Sequence, residues 1–111
     1  MIVRALLASV LAGALGACWW IGRCERDCAA AEVAAQSLFD RGDALGTLGV
    51  IDSADARCRC SRFTAGDAPA LYSLAQACLR KLADSGRTAD ASRLLAGARG
   101  PILQELAKAG R

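Results

Sequence analysis

Residues 67–84, DAPALYSLAQACLRKLAD, decide the fold class. Leu71, Leu74, Ala75, Cys78, Leu79 and Leu82 recur at spacings of three and four, the pattern of a single buried stripe on an α-helix. Asp67 is placed to cap that helix, and Pro69 is tolerated in its first turn, where a backbone N–H would have no helical partner anyway. Ser85-Gly86 ends it. Thr88 can cap a following helix that carries Ala91, Leu94, Leu95 and Ala98. Gly100-Pro101 then separates a last short helix with Ile102, Leu103 and Leu106, since Gly suits a helix end and Pro a helix start.

The same period runs upstream. A helix from about Glu25 to Arg41 places Cys28, Ala31, Ala35, Leu38 and Phe39 on one face, and Gly42 stops it. Asp43 can cap a second helix, to about Ser53, with Leu45, Leu48 and Ile51 inward. The stretch from Asp55 to Gly66 (DARCRCSRFTAG) lacks period and reads as an irregular connection. No run alternates apolar and polar residues as a strand would. The expected fold is all-α: an N-terminal apolar signal or anchor helix, two antiparallel helical hairpins and a short C-terminal helix.

Residues 5–22 (ALLASVLAGALGACWWIG) carry no charge and follow a short start with one positive charge, Arg4. A stretch this long, apolar all round, is too much for a chain of 111 residues to bury. The chain therefore divides into 1–22, a signal peptide or membrane anchor, and 24–111, a helical envelope domain. A retained anchor would leave Arg4 in the cytoplasm and set Trp19 and Trp20 at the far interface. Leu15-Gly16-Ala17-Cys18 resembles the lipobox of bacterial lipoproteins. That resemblance implies cleavage before Cys18, a diacylglyceryl group on its thiol and no transmembrane helix in the mature chain. Both routes attach the N-terminus to a membrane and leave the remainder in the cell envelope, on the periplasmic or extracellular side.

The hairpins resemble tetratricopeptide units. Phe39-Asp40-Arg41-Gly42-Asp43-Ala44-Leu45-Gly46-Thr47-Leu48 is similar to the end of one repeat helix, the Gly-containing turn and the start of the next. Gly86, Ala91, Leu95 and Ala98 repeat the spacing, with Pro101 near the family's terminal Pro. The two turns lie 44 residues apart, where the family has 34, and the Cys-rich connection holds the surplus. The resemblance implies a scaffold that binds a peptide or protein, here another envelope protein or a complex subunit.

Cysteines stand at 18, 24, 28, 58, 60 and 78. Outside the cytoplasm their default fate is oxidation, and a small domain with few aromatics gains most from it. At ~1.5 Å per residue the first helix climbs about 20 Å from Cys28 to Arg41, and the second returns the chain to its start. Cys24 and Cys28, one turn apart, can both meet the returning segment, whereas Cys58 and Cys60 cannot bridge one residue without strain. The expected pairs are Cys28 with Cys58 and Cys24 with Cys60, the swapped set being the alternative. Cys78 is left as a buried free thiol. A competing reading makes Cys24, Cys28, Cys58, Cys60 and Cys78 thiolate ligands for zinc or Cu(I), or a thiol-handling group. Their spacing is not that of the usual zinc knuckles, and no Cys-x-x-Cys occurs.

The chain contains no His, which removes the commonest general base and the Ser-His-Asp and Cys-His arrangements. No phosphate loop, zinc-protease motif or EF-hand is present. Asp40 and Asp43 flank a turn, where capping and solvation account for them. From Cys24 onward twelve Lys and Arg face eleven Asp and Glu, too balanced for a nucleic-acid footprint. Arg57, Arg59 and Arg62, with Arg80 and Lys81, form the one local basic cluster, and a solvated face is the ordinary reading of it. The expectation is a non-catalytic membrane-associated protein with no cofactor and no metal. A small phage-type or envelope-disrupting membrane protein is a third class.

Overall fold

The computed structural model describes residues 2–60 and 70–110. Among them are five helices and no strand: α1 (Ile2–Asp40), α2 (Ala44–Cys58), α3 (Ala70–Asp84), α4 (Thr88–Ala96) and α5 (Pro101–Ala109). The chain is all-α, as its periodicity predicts. Helices α1 and α2 form one antiparallel hairpin, α3 and α4 a second, and α5 closes the bundle against α2, α3 and α4. The molecule measures 68 × 27 × 23 Å because the N-terminal half of α1 projects from this bundle.

Both hairpin turns use one device. Gly42 (φ 85°) and Gly86 (φ 75°) adopt the left-handed conformation that side chains resist. Around Gly42, the N–H of Asp43 donates to the Leu38 carbonyl (2.9 Å) and that of Gly42 to Phe39 (3.0 Å). Around Gly86, Arg87 donates to Leu82 (2.8 Å) and Gly86 to Ala83 (3.1 Å). These paired bonds satisfy the last carbonyls of α1 and α3 and set the residue after each Gly as the next N-cap. Asp43 fills that role, accepting from the Gly46 N–H at 2.9 Å. In the second turn the same register puts Arg87 at the cap, so Thr88 lies inside α4 and gives no side-chain capping bond. The expected Asp67 cap and Pro69 fall outside the described residues.

Two boundaries differ from the sequence reading. The first helix begins at Ile2, not near Glu25, because the span from Gly22 to Glu25 holds no proline or capping residue to interrupt it. The second helix continues to Cys58, five residues past Ser53, and absorbs the start of the supposed connection. Its buried residues, Ala44, Thr47, Leu48, Ile51, Ala54, Asp55 and Cys58, keep the three-four spacing to the end. Two of the seven are polar, which hides the period when only apolar residues are counted.

The core is thin and aliphatic. Leu48, Ile51, Leu71, Leu82 and Leu103 are fully buried, joined by Ala35, Ala75 and Ile102. The Thr47 hydroxyl donates within this layer to the carbonyls of Asp43 (2.8 Å) and Ala35 (3.3 Å), tying α2 to α1.

Helix α5 is held differently, by two carboxylates of α2. Asp52 accepts from the N–H groups of Gly100 (2.7 Å) and Arg99 (3.2 Å), and Asp55 Oδ2 accepts from Ile102 (2.7 Å). The α5 N-terminus, with no side-chain cap of its own, is capped from a neighbouring helix. Gly100 makes that approach possible, since a Cβ there would lie 2.9 Å from Asp55 Cβ and Oδ2 and 3.0 Å from Asp52 Oδ1. Gly100→Ala is therefore expected to push α5 off α2 and lower stability by about 1–3 kcal/mol. Urea unfolding measures it, and an unchanged midpoint would contradict the capping geometry.

Candidate functional site

The residues that carry chemistry gather where the projecting part of α1 meets the bundle. Residues 2–21 of α1 are exposed on every face, among them Leu6, Leu7, Val10, Leu11, Leu15, Trp19 and Trp20. An 18-residue window of this helix has a mean hydropathy of 1.8 and no buried residue, so it is long and apolar enough to cross a membrane by length and composition. A signal sequence has the same character. At ~1.5 Å per residue, residues 5–22 span about 27 Å, close to the hydrocarbon thickness of a bilayer. Cys18 sits in this segment, exposed and unpaired.

One turn beyond the tryptophans the bundle begins, fastened by two disulfides. Cys24 pairs with Cys58 (Cα–Cα 5.2 Å) and Cys28 with Cys60 (5.5 Å). All four expected cysteines take part, but in the swapped set rather than as Cys28 with Cys58 and Cys24 with Cys60. The longer α2 is the reason. It descends to the level of Cys24, and Arg59 then takes a left-handed conformation (φ 51°) that turns the chain back toward Cys28. A strictly descending segment would have met the α1 cysteines in the opposite order.

The sixth cysteine, Cys78, is buried on α3 and unpaired. Burial pushes its thiol up, opposed in part by a hydrogen bond with Thr47 and by the charge of Lys81. A raised folded-state value favours the neutral thiol. Stability tied to it is full below the ordinary thiol range and falls as pH rises through and beyond that range. The peptide carrying Cys78 is expected to resist maleimide until denaturant is added. Rapid native labelling would show that α3 is not packed in solution.

The basic cluster comes apart. Arg57 and Arg59 are exposed at the disulfide end of α2, while Lys81 lies 4.8 Å from the Phe39 ring at the opposite end of the hairpin. Arg62 is outside the described residues. What the structure adds, and the sequence reading missed, is that the Cys24–Cys58 bridge brings Arg57 beside Arg23. With Trp19, Trp20, Cys24, Asp27 and Cys58 these arginines line a cleft of about 180 Å³. The signal lay only in the alternative pairing, Cys24 with Cys58, which sets the neighbours of the two cysteines together as well.

A second open surface runs along α1 and α2. Ala30, Ala34, Gly46 and Gly49 leave a groove of about 550 Å³ between the helices, with Val50 and Arg57 on its walls. Among the described residues, no three His, Cys, Asp or Glu side chains are grouped to hold a metal ion. The thiolate reading also meets the chemistry of the donors, since four of its five sulfurs are bonded to one another. No family model matches the chain, and no curated protein or solved structure is significantly similar to it.

Proposed function

We propose that this chain is a non-catalytic, membrane-anchored protein of the cell envelope, whose hairpins bind another envelope protein or complex subunit on the periplasmic or extracellular side. The observation that carries the reading is the junction in α1. An apolar segment exposed all round runs without a break into a helix that two disulfides fasten to α2. Apolar surface of that extent belongs in lipid, and disulfides persist in oxidising compartments. Together they support a membrane at residues 5–22 with the bundle beyond it, away from the cytoplasm. Cys18 carries a diacylglyceryl group in a lipoprotein, and an intact Met1 marks a retained helix; the mass of the mature N-terminus separates these routes.

The binding reading draws on the α1–α2 groove, where small side chains leave room for a partner's helix or extended segment. Two measurements test the whole. A C-terminal epitope tag is expected to be lost when intact spheroplasts are treated with protease, and survival until lysis would put the bundle in the cytoplasm. A photo-crosslinker at Ala34 is expected to capture a defined envelope protein in living cells, while one at Ser92 on α4 does not. Equal or absent capture from both positions would remove the binding role.

A further inference from the structure

We propose that the cleft between Trp19, Trp20, Arg23 and Arg57 binds the phosphate headgroup of an anionic phospholipid. This rests on the membrane reading of residues 5–22, and it holds for either route of attachment. With a retained helix, Trp19 and Trp20 lie at the outer interface, where amphipathic rings concentrate. With a lipid on Cys18, they follow the glyceride directly. In both cases the cleft sits at headgroup depth, a turn beyond the hydrocarbon.

Its chemistry fits that ligand. The cleft, about 180 Å³, is lined by Trp19 and Trp20, which belong to the apolar segment, and by Arg23 and Arg57. Arg23 is held over the Trp19 ring at 5.3 Å, a cation–π contact that keeps the group near the interface. Arg57 donates Nε–H to the Ser53 carbonyl at 3.3 Å, which uses one of the donors in its fork. Planar guanidinium forks match phosphate oxygens in pairs, and indole faces accept the glycerol and first methylenes of a lipid. The antiparallel packing of α1 on α2 brings Arg57 to the level of Arg23, 34 positions earlier, and the Cys24–Cys58 bridge between their neighbours fastens them there.

Asp27 is the one acid in the lining, with Oδ2 4.0 Å from Arg23 Nε. Against two arginines it leaves the cleft positive and selects against zwitterionic headgroups less strongly than two unopposed cations would. Near a membrane surface each basic residue is worth about fivefold in affinity for anionic lipid.

The test reconstitutes the full chain in nanodiscs of equal phosphatidylglycerol and phosphatidylcholine, and native mass spectrometry counts the lipids that leave with it. Wild type is expected to retain phosphatidylglycerol about fivefold or more over phosphatidylcholine, falling with added salt. The pair Arg23→Gln and Arg57→Gln should bring the ratio near one. Asp27→Asn should raise it. The control pair Arg93→Gln and Lys108→Gln, which removes the same charge on exposed sites of α4 and α5, should leave it unchanged. Intact mass confirms both disulfides in each variant. An unselective wild type, or equal losses from the cleft and control pairs, would overturn the site. A chain that fails to enter nanodiscs at all would instead overturn the membrane reading.

Discussion

Asp55→Ala is expected to lower the stability of the bundle by about 2–4 kcal/mol and to release α5 first. The side chain is fully buried between α2 and the start of α5, and its Oδ2 accepts from the Ile102 N–H at 2.7 Å. A hydrogen bond to a charged group contributes about 1.5–3 kcal/mol net, and a carboxylate at a helix N-terminus in a partly buried setting up to about 2 more. Removal also spares the cost of burying a carboxylate whose Oδ1 has no partner, which keeps the sum below the simple total. A loss of this size is a large fraction of what a domain this small holds. Asp55→Asn, which keeps an acceptor oxygen, should fall between the two. Hydrogen exchange at Ile102 separates local from global effects: its protection should drop before that of Leu48 or Ile51. Loss of protection everywhere at once would show that α5 is not an independently released element.

The second large effect is non-additive. Closing a loop of 34 residues through Cys24–Cys58, or of 32 through Cys28–Cys60, is worth about 4 kcal/mol in the chain-entropy model. Either bridge alone already closes nearly the same loop, so adding the other shortens only a small ring and brings about 2 kcal/mol. Serine substitution of one pair should therefore cost about 2 kcal/mol, and of both pairs about 6. A variant lacking both is expected to be unfolded at ambient temperature. Urea titration of detergent-solubilised chains gives the three values, and two single losses that add up to the double loss would show that the bridges act independently.

Much of the architecture was legible because it rests on local rules. Leu71 to Leu82 shows its stripe in apolar residues alone, Gly42 and Gly86 mark left-handed stops, and Pro101 stands at a helix start. What escaped depends on partners far along the chain. Asp55 looks like a loop residue until Ile102, 47 positions away, supplies its donor. Thr47 is likewise interior only because Ala35 and Asp43 offer carbonyls to its hydroxyl. The swapped disulfides follow from the left-handed turn at Arg59, a conformation no glycine announces. The cleft was hidden for the same reason, since Arg23 and Arg57 become neighbours only when α2 runs back along α1 as far as Cys58 and is bridged to Cys24. Apolar segments are read easily at the N-terminus, but the continuity of α1 across Arg23 shows that a compositional border need not be a structural one.

The central claim is that one helix carries a membrane segment and a disulfide-fastened bundle into an oxidising compartment. Peptide mapping of the chain taken from isolated membranes, alkylated before lysis and digested without reductant, tests both halves at once. The expected result is recovery in the membrane fraction with Cys24 linked to Cys58, Cys28 linked to Cys60 and Cys78 free. Alkylated Cys24, Cys28, Cys58 and Cys60, or a chain recovered in the soluble fraction, would contradict it.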